Sequence, residues 1–173
     1  MRLFVAIDLN ELSQYFREVQ GYVKGNARLS YTKSFHVTLK FLGEVQPKDA
    51  EKVITLLKNV HFSPFRVFLD SLGIFPAENC IRVVWISLKP EEPILELQKA
   101  IDNALKGMFS SEKASRAHIT LARVKEVKDK QGFIKMLTDI KVKRIESNIK
   151  EFKLIKSTLT GTGPVYEDLA AFH

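Results

Sequence analysis

The chain has a single cysteine, Cys80, so no disulfide can form within it and a reducing compartment is the default expectation. Nothing around Cys80 marks a nucleophile, and it reads as a small buried hydrophobe. Histidine occurs only four times and tryptophan once, so a site built on either has few candidates. No apolar run approaches the length that spans a bilayer. The opening stretch Met1 to Ile7 is interrupted by Asp8 and lacks a small-residue cleavage pattern, so it does not read as a secretion signal. A cytoplasmic protein is expected. Low-complexity segments and an obvious interdomain linker are also missing, which argues against a disordered chain or a repeat array.

Acidic residues are in deficit: 20 Asp and Glu face 27 Lys and Arg, a net charge of +7. Such a surplus suits a polyanionic partner such as RNA, DNA or anionic lipid, and equally a solvated lysine-rich surface. With 45% hydrophobic and 27% charged residues in 173, the composition fits one domain, or two small lobes sharing a core.

Alternation of apolar residues at Leu3, Val5, Ile7 and Leu9 predicts an inner first strand. Asn10 reads as the N-cap of a helix carrying Leu12, Tyr15, Phe16, Val19 and Val23. Further strands are expected at 34–45, 65–74, 81–88, 117–124, 150–159 and 165–172. Helices are expected from Pro47, from Pro93 and over 133–140. Residues 75–79 read as a hairpin turn, 161–164 as another turn, and 125–130 as a charged loop or helix start. Helices alternating early with strands, then hairpins, predict an α+β fold with mainly antiparallel sheets.

One internal similarity stands out. Phe35-His36-Val37-Thr38-Leu39-Lys40 matches Ala117-His118-Ile119-Thr120-Leu121-Ala122. A given His-x-Thr-Leu arises by chance about once in several thousand positions or more. Two copies in one short chain point to duplication or to shared function. Side chains alternate along a strand, so His36, Thr38 and Lys40 are expected on one face and Val37, Leu39 and Phe41 on the other. His118 and Thr120 pair in the same way. By the same parity Arg123 faces the Ile119 and Leu121 side unless the strand bulges.

Imidazole titrates near neutrality, so two histidines can serve as acid and base across one phosphorus atom. Threonine hydroxyls two residues along can donate to phosphate oxygens. Neither a metal nor a covalent intermediate is required. One His-x-Thr on a strand is most often a half-exposed surface pair; the second copy with matching parity favours a site. Zinc is the other sharp reading. The remaining histidines, His61 and His173, have no ligand at metal spacing beside these motifs, so no metal and no cofactor are expected. Phe4, Phe41, Trp85 and Tyr166 can stack on a base or fill the core. Gly161-Thr162-Gly163 lacks the Lys-Ser/Thr of a phosphate loop and reads as a turn.

Over essentially its whole length the sequence resembles the LigT-like branch of the two-histidine (2H) phosphoesterases, RNA 2′,3′-cyclic phosphodiesterases also known as 2′-5′ RNA ligases. The residues that carry the resemblance are Arg2-Leu3-Phe4-Val5-Ala6-Ile7, His36-Val37-Thr38-Leu39-Lys40-Phe41-Leu42-Gly43, His118-Ile119-Thr120-Leu121-Ala122-Arg123, and Ser157-Thr158-Leu159 followed by Gly163-Pro164-Val165-Tyr166. The resemblance implies one bilobed, pseudo-two-fold domain over 1–173. Two mainly antiparallel sheets would face each other across a central cleft, helices outside, with one motif in each lobe. It implies hydrolysis of a terminal RNA 2′,3′-cyclic phosphate to a 2′-phosphomonoester, with His36 as acid, His118 as base, and Thr38 and Thr120 on the non-bridging oxygens. Arg123, Lys40, Phe4 and Tyr166 are the expected substrate contacts, Lys40 equally an ordinary surface lysine. The expected partner is RNA with cyclic phosphate ends, tRNA fragments among them, for a monomer away from membranes. Where the family often has an aromatic and a proline before the second histidine, this chain has Ser115-Arg116-Ala117; Arg116 either adds a phosphate contact or only alters entry to the strand. The rivals are a 2′-5′ RNA ligase at the same site, a non-catalytic RNA-binding protein, and a phosphodiesterase for small nucleotides.

Overall fold

The computed structural model describes residues 1–111 and 115–173. In chain order the elements are β1 (Arg2–Asp8), a 3-10 turn (Asn10–Leu12), α1 (Ser13–Tyr22), β2 (Ala27–Tyr31), β3 (His36–Glu44), α2 (Pro47–Leu57), β4 (Phe65–Ala77), β5 (Cys80–Lys89), α3 (Glu92–Leu105), β6 (His118–Val127), α4 (Lys130–Asp139), β7 (Glu146–Ile149), β8 (Phe152–Thr160) and β9 (Gly163–Phe172). All pairings are antiparallel, in the order β7-β4-β5-β6-β3-β1-β8-β9, with β2 added to β6. The α+β class and the two antiparallel halves agree with the expectation from sequence. The halves are continuous at one place, a single bridge between Val37 of β3 and Ile119 of β6.

The apolar side chains of the two motif strands, Val37, Leu39, Ile119 and Leu121, join one core with Phe16 and Val19 of α1, Val53 and Leu57 of α2, and Ile94, Ile101 and Leu105 of α3. Each helix offers apolar residues three and four apart, the spacing that puts them on one face. Phe16 and Phe35 are fully buried with ring centroids 4.8 Å apart. Burial of each contributes about 1.5–3 kcal/mol. A smaller core joins Val84 and Val124 to Phe133 and Leu137 of α4. No helix among the described residues is long and apolar enough to cross a membrane.

Several local expectations need correcting. Asn10 does not cap α1; its side chain instead receives the Phe35 amide and donates to Asp8 and Ser34, stapling β1 to the start of β3. The hairpin turn is tighter than 75–79, because Phe75 to Ala77 stay in β4. Cys80 is exposed, not buried. Strands β2 and β7 carry no clear apolar alternation; both are edge additions recruited by β6 and β4.

The most consequential departure is inside the motifs. Pairing between β1 and β3 runs Ala6 to Thr38 and then Val5 to Lys40, so Leu39 is an extra residue. Pairing between β5 and β6 runs Trp85 to Thr120 and then Val84 to Ala122, so Leu121 is the matching extra residue. Each bulge reverses side-chain parity beyond it. The two strands therefore share one burial order, half-buried His and Thr around a buried aliphatic, two buried residues, then an exposed one.

Lys40 is the casualty of that reversal. It does not share the face of His36; it turns inward, 3% exposed, and donates to Asp102 at 2.6 Å and to the Ser110 carbonyl at 2.9 Å. A substrate contact is thereby excluded, and Lys40 holds the start of the segment after α3 to β3. Replacing Lys40 by Met should lower stability by about 1.5–3 kcal/mol, the usual worth of hydrogen bonds to a charged group. A urea unfolding curve with an unchanged midpoint would contradict this placement.

Candidate functional site

In an antiparallel pair, the residues flanking a bridge lie opposite each other in reverse order. With Val37 against Ile119, His36 falls beside Thr120 and Thr38 beside His118. The bridge residues are buried at 1% and 0% exposure and point to the core. His36, Thr38, His118 and Thr120 are half-buried and share the other face. In a regular pair the diagonal between the histidines is about 7–8 Å, room for one tetrahedral phosphate. The two rings also sense each other electrostatically: the charge of His118 disfavours a proton on His36.

Each histidine has its own aromatic bed. The His36 ring lies 5.0 Å from Phe4 and 5.4 Å from Tyr166. The partner of His36 on β1 is Asp8, and small, fully buried Ala6 stands between Asp8 and Phe4. That small residue leaves room for the imidazole to reach Phe4. On the other half, His118 lies 4.9 Å from Phe75 and 6.1 Å from Trp85, themselves stacked at 4.7 Å. The indole covers Gly73, where any Cβ would collide with it. Arg116 lies 5.2 Å above the Trp85 ring, so this arginine braces the aromatic bed from outside.

The tautomer of His118 is fixed. Its Nδ1 is 2.8 Å from the Arg116 carbonyl, which can only accept, so Nδ1 carries the hydrogen. Nε2 is left with the lone pair, the form a general base requires. Burial lowers the His118 pKa, against a smaller opposing pull from the Arg116 carbonyl. His36 is lowered further, to about 4: burial dominates, Asp8 pulls upward, and His118 and Arg123 push down. Both imidazoles are thus neutral at pH 7 in the unliganded protein.

The sequence candidates divide as follows. His36, Thr38, His118 and Thr120 come together. Arg123 lies beyond the Leu121 bulge, exposed, and near enough to act electrostatically on His36 and Tyr166. Tyr166 is half-buried at the edge, its hydroxyl pKa raised by burial against Arg123 and Arg2. Phe4 is 4% exposed and packs beneath His36, Phe41 and Tyr166. Phe41, expected in the core, is 64% exposed because the Leu39 bulge turns it outward. Sequence reasoning overlooked Asp8 and Phe75. Asp8 had a signal, a charge ending an apolar strand; Phe75 was hidden in an expected turn. Among the described residues no three His, Cys, Asp or Glu side chains converge as a metal would need.

The model of the LigT like phosphoesterase family matches residues 7–85 and 86–166. An Archaeoglobus fulgidus protein named RNA 2′,3′-cyclic phosphodiesterase is 33% identical, covering 99% of both chains. A Methanocaldococcus jannaschii protein of the same name is 34% identical, covering 96% of this chain and 97% of its own. Among solved structures, one from Thermus thermophilus superposes with a TM-score of 0.79 at 27% identity, covering 99% of this chain and 97% of that one. Escherichia coli LigT complexed with 3′-AMP shares the fold, with a TM-score of 0.76 at 24% identity over 98% of this chain and 95% of that one.

The geometry around Gly73 is directly testable. Gly73→Ala should displace the indole of Trp85, the only tryptophan in the chain, and shift its emission. Unchanged fluorescence would mean that the indole does not lie against Gly73.

Proposed function

Since the chain belongs to the LigT-like phosphoesterase family, we propose that it hydrolyses the 2′,3′-cyclic phosphate at RNA ends to a 2′-phosphomonoester, with His36 and His118 as its acid and base. The observation that carries the proposal is the Val37–Ile119 bridge, which sets both His-x-Thr pairs around one small space. The name shared by the archaeal relatives supports the same chemistry.

In this mechanism, Nε2 of His118 takes a proton from water as the water oxygen bonds to phosphorus. The bond from phosphorus to the 3′ oxygen breaks, and His36 gives its proton to that oxygen. The product is a 2′-phosphomonoester beside a free 3′ hydroxyl. Thr38 and Thr120 donate hydrogen bonds to the non-bridging oxygens, whose negative charge grows in the transition state. Arg123 contributes positive charge at the rim. No metal takes part. Both histidines come from one chain, so a monomer suffices, and the ends of cleaved tRNA are among the substrates of this chemistry.

Replacing either His36 or His118 by Ala should lower kcat by about three orders of magnitude or more, with KM for a nucleoside 2′,3′-cyclic phosphate changed far less. Full activity in either variant removes that residue from the reaction. Excess chelator should leave the rate unchanged; loss of turnover would overturn the metal-free mechanism.

The pH dependence follows from the imidazoles. Catalysis needs one ring protonated and one neutral. In the free protein His118 gains a proton below the usual histidine value and His36 only near pH 4. The singly protonated form is therefore most populated on the acid side of pH 6.5, the ordinary histidine value, and fades as pH rises. kcat/KM should be bell-shaped with its maximum below that pH. A bound phosphate anion favours imidazolium, so the alkaline limb of kcat should lie at higher pH than that of kcat/KM. A kcat/KM maximum well above pH 7 would contradict the placement of these rings.

A further inference from the structure

The two motifs are related by the pseudo-two-fold at the Val37–Ile119 bridge, but their neighbours are not. Opposite His36 on β1 stands Asp8; opposite His118 on β5 stands Ser87. Directly opposed residues of an antiparallel pair lie about 4.5–5.5 Å apart at Cα with side chains on one face. Asp8 therefore shares the cleft face with His36, as do Phe4 and Ala6. The Asp8 carboxylate is held in place. Its Oδ1 accepts from the amide and side chain of Asn10 at 2.8 and 2.7 Å, and its Oδ2 from Lys153 at 3.1 Å. Lys153 also meets Asp168 at 2.8 Å and Glu151 at 3.5 Å, so three carboxylates share one ammonium and the cluster is net negative.

Among the described residues on the Ser87 side, burial and the Arg116 carbonyl are what shift His118, and the nearby Glu91 carboxylate accepts from the Ala117 amide at 2.7 Å. The Ser87 hydroxyl receives the Ser71 amide at 3.1 Å and donates toward Asp70 at 3.2 Å. Asp70 stands behind the serine and is matched by Lys89 at 3.9 Å.

We propose that Asp8 is a positioning residue that favours a proton on His36, and not on His118, against the burial that disfavours it. The proposal rests on the acid and base assignment above and supplies what that assignment lacks. Two copies of one motif around a pseudo-two-fold are chemically equivalent until something distinguishes them, and the roles of acid and base are not interchangeable within one turnover. Burial works against a proton on His36, and so do His118 and Arg123 on β6, while Asp8 is the group that favours it. The phenol of Tyr166 on β9 adds no charge at neutral pH, and the Lys153 ammonium on β8 is paired with Asp8 at 3.1 Å. Asp8 stays ionised in the working range: burial raises its pKa, but the Asn10 amide and Lys153 outweigh that and leave it lowered.

The test reads the rings separately from turnover. His36 and His118 in the full chain are titrated by NMR, with and without saturating inorganic phosphate, in the unaltered protein, Asp8→Asn and Lys153→Met. Asp8→Asn should move the His36 midpoint to lower pH and leave that of His118 in place. Lys153→Met, which removes the positive member of the cluster, should move His36 the opposite way. In parallel, Asp8→Asn should lower kcat about tenfold on the alkaline limb, with KM within about twofold, and Asp8→Glu should restore it. A His36 midpoint that ignores Asp8→Asn, or that moves together with His118, overturns the proposal. If Asp8→Asn fails to fold, the direction of the Lys153→Met shift decides: a downward or absent shift overturns it. These midpoints are read without substrate, so the catalytic assignment can fail while Asp8 still tunes His36, and the reverse.

Discussion

A single antiparallel bridge, Val37 against Ile119, fixes the geometry of the candidate site. Both side chains are almost fully buried, so the main core locks the bridge in place. Every other feature of the cleft is placed relative to it. The flanking histidines and threonines must alternate to the opposite face, and the antiparallel sense must set each histidine beside the other motif's threonine. No further β3–β6 residue is paired, and beyond the bridge the β6 edge is taken by the Thr32 amide and β2.

Bulges at Leu39 and Leu121 turn this frame into a site. Each swaps the face of the residues that follow, sending Phe41 and Arg123 to the cleft side and Lys40 and Ala122 to the core. A bulge frees backbone groups from the ladder, and buried ones must find partners. The Leu121 carbonyl accepts from the Thr32 amide at 2.9 Å, and two buried glutamines from different helices add donors at both motifs. Gln20 of α1 donates to the carbonyls of Leu121 and Thr32, both at 2.8 Å, and Gln98 of α3 approaches the Thr38 carbonyl at 3.5 Å. The helices behind the sheet therefore both bury apolar surface and hold the strand distortions that shape the front.

Much of this was legible in the sequence because its signals are periodic. Alternation along β1 and the motif strands, helical spacing behind Pro47 and Pro93, and the repeated His-x-Thr-Leu gave the class, the halves and the histidines. The bulges broke the readings that assumed unbroken alternation. Lys40 is polar and follows the His–Thr parity, yet one inserted residue buries it against Asp102. Arg123 and Phe41 change face for the same reason. A bulge has no side-chain pattern of its own, but Gln20 and Gln98 on otherwise apolar helix faces were a usable hint that buried carbonyls needed donors. Strands β2 and β7 escaped because edge pairing is decided by a neighbour's exposed ladder, and neither segment alternates clearly. Asp8 is the end of β1 and, from that position, also the charge beside His36.

Chemically, the site combines two imidazoles kept neutral by burial with donors that stand ready for an anion. Whether both rings meet one phosphorus is read by following the His36 and His118 NMR resonances while inorganic phosphate is added below pH 6.5. Both should shift along one saturation curve, with the same dissociation constant and a stoichiometry of one. Shifts with two different constants, or in one ring alone, would place the histidines in separate sites and contradict the proposed mechanism.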